Sequence, residues 1–271
     1  MICEQINGEG MGKLRLGILG SGFHSEIIVK AWKDGLLEDY ELVGIMGRNP
    51  ETREALAQSA GCQACSSVEE LLSLKPDYIA EAASIQLIRD SAERILSSGC
   101  NLVMISIGAF ADDAFYEKIR QTASASGTRV YLASGCVGGF DVLRAVSLMG
   151  CTNAGIETHK GPKSLRNTPL FKEELMEDGD ETHVFTGNAR EAISLLPTKV
   201  NVAVAASLAT RGPQNTSVNI YSVPGYVGDD HKITAEAEGV RAVVDIYSST
   251  SALAAWSEVA VLRNIVSPIV F

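Results

Sequence analysis

The sequence predicts an α/β protein with a doubly wound parallel sheet in its N-terminal half and a second, α+β domain after it. Strands and helices alternate between residues 14 and 134, and the strands are almost continuously apolar. Such strands are typical of a parallel sheet that helices cover on both faces. After residue 134 polar and apolar residues alternate more strictly, which is typical of antiparallel strands with one exposed face.

A glycine turn, Gly20-Ser-Gly22-Phe-His-Ser25, joins the first strand to the first helix. Gly20 permits a tight turn, Gly22 has no Cβ to block a pyrophosphate, and Ser25 is small enough for close packing of the helix on the strand. The phosphates would lie at the helix N-terminus, where free N–H groups favour anions. Lying between a strand and a helix, this string predicts a Rossmann domain. The predicted cofactor contacts of this turn are Gly20, Gly22, Phe23 and His24.

The other elements of the first domain follow in order. Predicted strands cover residues 40–46, 76–83, 101–107 and 128–134, and predicted helices cover 49–60, 67–72, 84–98 and 112–126. Asn49 and Ser67 are expected to cap two of these helices, because Asn and Ser side chains accept from the free N–H groups of a first turn. Gly61 and Gly99 are expected to end helices.

The second half of the chain is predicted to hold four antiparallel strands and further helices. The strands are residues 155–158, 217–221, 232–236 and 240–247, the helices are 188–196 and 199–209, and a last amphipathic helix spans 251–265. The last helix must bury its apolar stripe, so it is expected to return to the first domain. We therefore divide the chain into a flexible tail (1–13), a dinucleotide-binding domain (14–134), a substrate and dimerisation domain (135–250) and the returning helix (251–271).

Composition excludes several classes of protein. The net charge of −10 argues against a nucleic-acid surface. No apolar run reaches the roughly 18–20 residues of a membrane span, and the first residues lack a secretory signal, so we expect a cytoplasmic protein. The six cysteines are scattered, which suits reduced thiols. The Cys62–Cys65 pair has neither a second pair nor a nearby histidine, so no metal site is expected.

The cofactor is expected to be NADP or NAD, with NADP favoured. NAD sites commonly place an acidic residue at the end of the second strand, whereas Gly47-Arg48-Asn49 follows that strand here. Arg48 would pair with a 2′-phosphate. The nicotinamide half is expected at the ends of two later strands, where doubly wound sheets hold it. The residues predicted there are Ala83, Ser84, Ser106 and Gly108.

A proton carrier is sought among the four histidines, because imidazole titrates near neutrality. His24 lies in the phosphate turn, and His183 is expected on the surface of a strand. His231 is preferred over His159 as the catalytic residue. In a solvated turn, the neighbouring aspartates would raise the pKa of His231.

An anionic substrate needs cations and free N–H groups. Lys160 and Lys199 are the candidate cations, and Asn201 lies in an apolar run where its amide must find either a ligand or a backbone partner. The turn that begins with Ser134 and Gly135 leads into a helix N-terminus that offers N–H groups. Lys160 and Asn201 are also expected to take part in catalysis.

Seven ordered blocks give the chain a specific resemblance. They are Gly20–Gly22, Glu81-Ala-Ala-Ser84, Ser106-Ile-Gly-Ala-Phe110, Ser134-Gly-Cys-Val-Gly-Gly-Phe-Asp141, Thr158-His-Lys-Gly-Pro162, Phe185-Thr-Gly-Asn-Ala-Arg-Glu-Ala192 and Pro197-Thr-Lys-Val-Asn-Val-Ala203. From residue 14 to its last helix, the chain resembles the L-aspartate dehydrogenases. The resemblance implies a Rossmann domain, an α+β catalytic and dimerisation domain, a homodimer, and NAD(P)-linked oxidation of aspartate to iminoaspartate, which yields oxaloacetate or feeds NAD biosynthesis. It also implies that His231 is the catalytic histidine.

Several positions depart from that family's pattern and cluster around the expected substrate pocket. The family usually has Asn-x-His where this chain has Asp229-Asp-His231, and Ser248–Ser251 replaces an expected Asn-Pro pair. Two alternatives therefore stay open. One is an NADP-linked reductase of another small imine, semialdehyde or keto substrate, and the other is a non-catalytic, nucleotide-sensing dimer.

Overall fold

The computed structural model describes residues 12–177, 179–197 and 200–271. Residues 1–11 of the predicted tail, and Lys199 of the predicted substrate site, lie outside the described residues. Over the described ranges the chain folds into a six-stranded sheet followed by a five-stranded sheet, each with helices. None of the helices in these ranges is long and apolar enough to cross a membrane.

The first sheet is entirely parallel and has the strand order β3-β2-β1-β4-β5-β6. Its strands are β1 (Leu14–Leu19), β2 (Tyr40–Met46), β3 (Gln63–Cys65), β4 (Tyr78–Glu81), β5 (Asn101–Met104) and β6 (Val130–Leu132). Its helices are α1 (Phe23–Lys33), α2 (Pro50–Ala60), α3 (Val68–Ser73), α4 (Ile85–Ser97) and α5 (Asp113–Ser126), with a 3₁₀ turn at Ile107–Ala111. The strand order reverses between β1 and β4, and ligands bind doubly wound sheets at such a point. The predicted doubly wound sheet is confirmed.

The helix signals in the sequence are confirmed at both ends of α2. The Asn49 side chain accepts hydrogen bonds from the N–H groups of Glu51 and Thr52. Gly61 ends the helix in the left-handed conformation with φ +66°. Ser67 caps α3 in the same way, because its hydroxyl accepts from the N–H of Glu70 at 3.2 Å.

The second sheet has the order β11-β10-β7-β9-β8 and is mixed. Its elements are α6 (Phe140–Leu148), β7 (Asn153–Lys160), β8 (Thr182–Asn188), α7 (Ala189–Leu195), α8 (Asn201–Leu208), β9 (Ser217–Ser222), β10 (Asp229–Ala237) and β11 (Val240–Ser248). The expectation of antiparallel strands is wrong for one pair, because β7 and β9 run parallel. The long connection through β8, α7 and α8 returns the chain in the same direction, as parallel strands require.

The last helix, α9 (Ala252–Val266), packs on the first domain. Its residues Ala255, Val259 and Leu262 are buried in one core with α1 and β2. The buried hydroxyl of Tyr40 donates to the carbonyl of Leu262 at 2.7 Å. The predicted return of this helix is therefore confirmed, because burial of its apolar stripe against α1 outweighs leaving it exposed.

A few polar contacts join the two domains at the turn that follows the carboxyl end of β5. The Asn201 Oδ1 accepts from the N–H of Gly108 at 2.9 Å. Arg190 of α7 donates to the carbonyl of Ala111 at 3.2 Å and pairs with Asp113. Two helices of the second domain thereby hold the 3₁₀ turn that follows β5.

Candidate functional site

The glycine turn after β1 has the shape that a phosphate-binding turn needs. Gly20 has φ +133°, and a Cβ there would lie 2.4 Å from the carbonyl oxygen of Ala82. A Cβ at Gly22 would meet no atom within 4 Å, so the space above the turn is open. Gly22 is the N-cap of α1 and supplies no side-chain cap, whereas α2 to α5 all have one. Open space and free N–H groups fit a pyrophosphate here.

The two residues after Gly22 have different surroundings. The Phe23 side chain is 52% exposed. The His24 Nε2 lies 3.1 Å from the carbonyl oxygen of Ser251, at the start of α9. Burial lowers the pKa of His24 despite that hydrogen bond. His24 thus joins α1 to α9, and a contact with phosphate stays a prediction.

Arg48 is exposed directly after β2, where the adenosine ribose of a bound dinucleotide would lie. A Cβ on Gly47 would lie 2.2 Å from the Ser21 Oγ, so the end of β2 touches the glycine turn. The Ser21 and Thr52 hydroxyls are 2.9 Å apart beside it. This corner therefore offers one exposed guanidinium and two hydroxyl groups.

The predicted nicotinamide residues lie together at the carboxyl ends of β4 and β5. Ala83 is exposed, and Ser84 caps α4 by accepting from the N–H of Leu87 at 3.2 Å. Ser106 is only 5% exposed. Gly108 is buried, and a Cβ there would come within 2.6 Å of the Asn201 Oδ1.

Glu81, the last residue of β4, holds these two strand ends together. Its Oε1 accepts from the N–H of Ala83 at 2.9 Å and from the Ser106 hydroxyl at 2.7 Å. Its Oε2 accepts from the N–H of Ser106 at 3.0 Å. The side chain is fully buried, and burial raises its pKa to about 7 although the hydrogen bonds act in the opposite direction.

His231 is buried in the second domain, with 2% of its surface exposed. It lies opposite Thr158 in the β10–β7 register, and the His231 Nδ1 is 3.0 Å from the Thr158 hydroxyl. Burial lowers the pKa of His231 to about 4; Asp229 acts to raise it and Lys160 to lower it. The expectation that aspartates raise this pKa is wrong in its net direction, because burial outweighs Asp229 and the ring is not in a solvated turn.

Lys160 and Asp229 form the cross-strand pair two residues further along the same two strands, on the same face of the sheet. The Lys160 Nζ lies 3.3 Å from the Asp229 Oδ1, and Lys160 is 1% exposed. A buried ammonium needs such a partner, because unpaired burial of a charge costs several kcal/mol. The site therefore contains a neutral imidazole beside a paired cation.

The turn after β6 approaches this pair. The charges of Asp229 and Lys160 both act on the pKa of the Cys136 thiol, which burial raises. The N–H of Gly135 donates to the Ser257 hydroxyl of α9 at 2.9 Å, and Ser134 is half-buried beside it. The predicted substrate residues Ser134 and Gly135 thus lie near Lys160, although the Gly135 N–H already has a partner.

Asn201 begins α8, and its side-chain oxygen, Oδ1, accepts a hydrogen bond from the N–H of Gly108. Of the two partners expected for this amide, a ligand or a backbone group, the structure shows the backbone group. This contact places Asn201 at the boundary between the domains.

The other two histidines of the second domain, His159 and His183, do not face His231. His159 points to the opposite face of β7 from Thr158, where its ring stacks on Tyr221 with centroids 4.7 Å apart. His183 is exposed on β8, as predicted, and stacks on the same tyrosine at 4.8 Å. Of the three histidines in the second domain, only His231 faces the candidate site.

Sequence reasoning gave no role to Thr158, Glu81 or Glu258. Thr158 carries no local signal, because only the β7–β10 register brings it to His231. Glu81 and Glu258 did carry one, since each is a single carboxyl group within an apolar run. Both are completely buried.

Comparison with known proteins gives a consistent result along the chain. Residues 141–265 match a family model described as aspartate dehydrogenase, C-terminal, and residues 16–133 match the homoserine dehydrogenase NAD-binding domain. An L-aspartate dehydrogenase of Methanococcus maripaludis is 31% identical over 265 residues, covering 94% of this chain and 98% of the relative. An L-aspartate dehydrogenase of Methanosarcina mazei is also 31% identical, and the match again covers 94% of this chain and 98% of the relative.

Among solved structures, aspartate dehydrogenase from Thermotoga maritima superposes with a TM-score of 0.74 at 26% identity. The superposition covers 95% of this chain and 99% of that one. An amine dehydrogenase from Mycobacterium smegmatis shares the fold with a TM-score of 0.57 at 13% identity. The two-domain architecture is thus shared with these two dehydrogenase structures.

Proposed function

This chain belongs to the L-aspartate dehydrogenase family, and from that premise we propose that it oxidises L-aspartate to iminoaspartate, or runs the reverse reaction. The observation that carries the proposal is the pairing of His231 with Thr158 beside Lys160 and Asp229, next to the turn that follows β6. A base and a cation in one buried site suit oxidation of a small anionic amino acid. The iminoaspartate would then hydrolyse to oxaloacetate.

A nicotinamide dinucleotide fits the first domain, and when bound it accepts or donates the hydride. Gly20 and Gly22 would hold the pyrophosphate, with Phe23 and His24 beginning the helix next to it. The turns at the ends of β4 and β5 would hold the nicotinamide half; their residues are Ala83, Ser84, Ser106 and Gly108. The open space at Gly22 and the uncapped start of α1 support this placement.

We favour NADP over NAD because of the corner around Arg48. The residues directly after β2 include no carboxylate, so nothing at that position repels a 2′-phosphate. The exposed Arg48 guanidinium would pair with that phosphate, and the Ser21 and Thr52 hydroxyls would lie beside it.

His231 would take the proton that the substrate ammonium must lose before hydride leaves Cα. Its lowered pKa keeps the ring neutral near pH 7, so a lone pair is available. If Nδ1–H donates to the Thr158 hydroxyl, then Nε2 carries that lone pair. In the reverse direction the protonated ring would return the proton to the amine.

The substrate carboxylates would meet Lys160, with Lys199, Ser134 and Gly135 as further contacts. Asn201 would act at the same edge through its hold on the Gly108 turn. The Lys160–Asp229 pair supports a second candidate function, reduction of a keto or imine substrate with one carboxylate. Asp229 already offsets one positive charge, which leaves less attraction for a second carboxylate.

A homodimer through the second domain fits the outer face of its sheet. The helices α6, α7 and α8 form a core with the other face. The outer face carries exposed Val243 (44%) and Tyr247 (56%) among charges of both signs, such as Glu157 and Lys232. A second copy related by a two-fold axis would match such a face to itself.

The direct test is an absorbance assay with the purified chain. NADPH and NADH oxidation would be followed with oxaloacetate plus ammonium, and NAD(P)⁺ reduction with L-aspartate, from neutral to alkaline pH. We expect turnover with both substrates and faster turnover with NADP(H). A folded sample that binds cofactor and turns over pyruvate or glyoxylate with ammonium, but not oxaloacetate, would replace the aspartate proposal with the second candidate.

A further inference from the structure

Glu81 makes an unusual set of contacts for a carboxyl group inside a parallel sheet. It is fully buried at the end of β4 and accepts three hydrogen bonds. One comes from Ala83 on its own strand end, and two come from Ser106, which follows β5. A single side chain therefore sets the separation of the two turns.

Burying such a group is costly, so its contacts need a purpose beyond packing. A carboxylate taken out of water loses several kcal/mol of hydration unless donors replace it. An apolar side chain would fill the same volume without that cost. The donors are all on the two turns assigned to the nicotinamide half, and one of those turns, around Ala83, is exposed to solvent.

We propose that Glu81 is a positioning residue, which holds the turns after β4 and β5 in the shape that binds the nicotinamide half of the cofactor. The proposal rests on the proposed function only in placing the nicotinamide at these turns. It assigns to Glu81 no contact with substrate or with the transferred hydride. Its effect should appear in binding of the nicotinamide half and not in binding of the adenosine half.

The test compares a whole dinucleotide with its fragment that lacks nicotinamide. NADPH is titrated by fluorescence, and 2′,5′-ADP is titrated by competition; NADH and ADP are the pair if NADH binds better. Glu81→Gln keeps the side-chain size but replaces an acceptor oxygen with a donor. We expect it to weaken NADPH binding by about tenfold or more, because the amide NH2 of Gln would face a buried N–H or O–H donor where Glu81 has an acceptor oxygen. The affinity for 2′,5′-ADP should change by less than about twofold.

Asp77→Asn is the control. The Asp77 carboxylate also joins two strands of the first sheet, because it accepts from the N–H of Arg15 at 2.7 Å, but it precedes β4 and so lies at the opposite end of that strand from Glu81. It should leave both affinities unchanged. Equal weakening of NADPH and 2′,5′-ADP by Glu81→Gln would mean a general loss of fold, and unchanged NADPH affinity would mean that Glu81 positions nothing; either result overturns the proposal.

Glu81→Asp decides the matter if Glu81→Gln does not fold. It keeps the carboxyl group but shortens the side chain by one methylene, so the carboxylate can no longer reach both Ala83 and Ser106. We expect NADPH to bind about threefold more weakly and 2′,5′-ADP to bind as before. Unchanged NADPH affinity would overturn the proposal. Since these titrations need no turnover, a wild type that binds NADPH but does not oxidise aspartate would refute the proposed function and leave this test valid.

Discussion

The two buried carboxyl groups, Glu81 and Glu258, make the stability of the fold depend on pH. Burial raises the pKa of Glu81 from 4.5 to about 7, and it raises the pKa of Glu258 well above 4.5. An acid whose pKa is higher in the folded chain takes up a proton on folding. Its contribution to stability is therefore greatest below pH 4.5 and weakens as the pH rises toward the pKa in the fold.

Glu258→Gln removes the proton that Glu258 takes up on folding, while keeping the size of the side chain. As long as Glu258 stays protonated in the folded chain, each pH unit above its unfolded pKa costs about 1.4 kcal/mol of unfolding free energy. Between about pH 5.5 and about pH 7, the wild type should therefore lose more unfolding free energy than the variant, by at most about 2 kcal/mol. At the higher pH the variant should be the more stable protein.

Urea unfolding followed by circular dichroism at these two pH values measures the difference. Glu238→Gln changes an exposed carboxylate in the turn between β10 and β11 and should follow the wild type. Titrating groups that do not interact with Glu258, His231 among them, are common to all three proteins and cancel in the comparison. Glu81 does interact with Glu258, so any change in its titration is part of the measured difference. The same pH dependence in the wild type and in Glu258→Gln would refute the reasoning, because Glu258 would then be ionised in the fold.

Four further substitutions test the cofactor corner, the proton carrier and the dimer face. Arg48→Ala should weaken NADPH selectively, by about 1.5–3 kcal/mol, and leave NADH almost unchanged; equal losses in fluorescence titrations of both would show that Arg48 does not bind the 2′-phosphate. His231→Asn should lower kcat by about 10²-fold or more, with NADPH affinity changed by less than about threefold. His159→Ala should keep most of the activity, and the opposite ranking in the aspartate assay would move the proton carrier to His159. Val243→Lys should give a monomer in light scattering, and a dimer unaffected by this change would exclude the outer sheet face.

Elements with strong signals at both ends could be predicted closely from the sequence. The second strand was expected at residues 40–46, and β2 spans Tyr40–Met46. Asn49 and Gly61 then marked the limits of α2, because a cap and a left-handed glycine act within one turn of the chain. The direction of β9 had no comparable signal. It depends on the path through β8, α7 and α8, which no short stretch encodes.

The residues of the candidate site could be proposed from the sequence, but the pKa of His231 could not be predicted from it. His231 and Lys160 were found from residue type and family resemblance, and Arg48 from its place after β2. The pKa of His231 was expected to rise because Asp229 and Asp230 are its neighbours along the chain. In the strand, Asp230 lies on the opposite side from His231, and the burial that lowers the pKa comes from elements distant in sequence.

Each domain buries titratable groups that serve its own part of the candidate site. In the second domain, burial and the Lys160 ammonium both disfavour a protonated His231, and the pairing of Lys160 with Asp229 keeps that ammonium inside. In the first domain, Glu81 fixes two turns through backbone and hydroxyl donors. His231 and the two turns held by Glu81 can act on one substrate only if the distance between the two domains is fixed. The Asn201–Gly108 bond joins the domains two residues from Ser106, and the Gly135–Ser257 bond joins them next to Cys136, whose thiol feels the charges of Lys160 and Asp229. A change in α8 or α9 should therefore alter turnover even where it touches neither substrate nor cofactor.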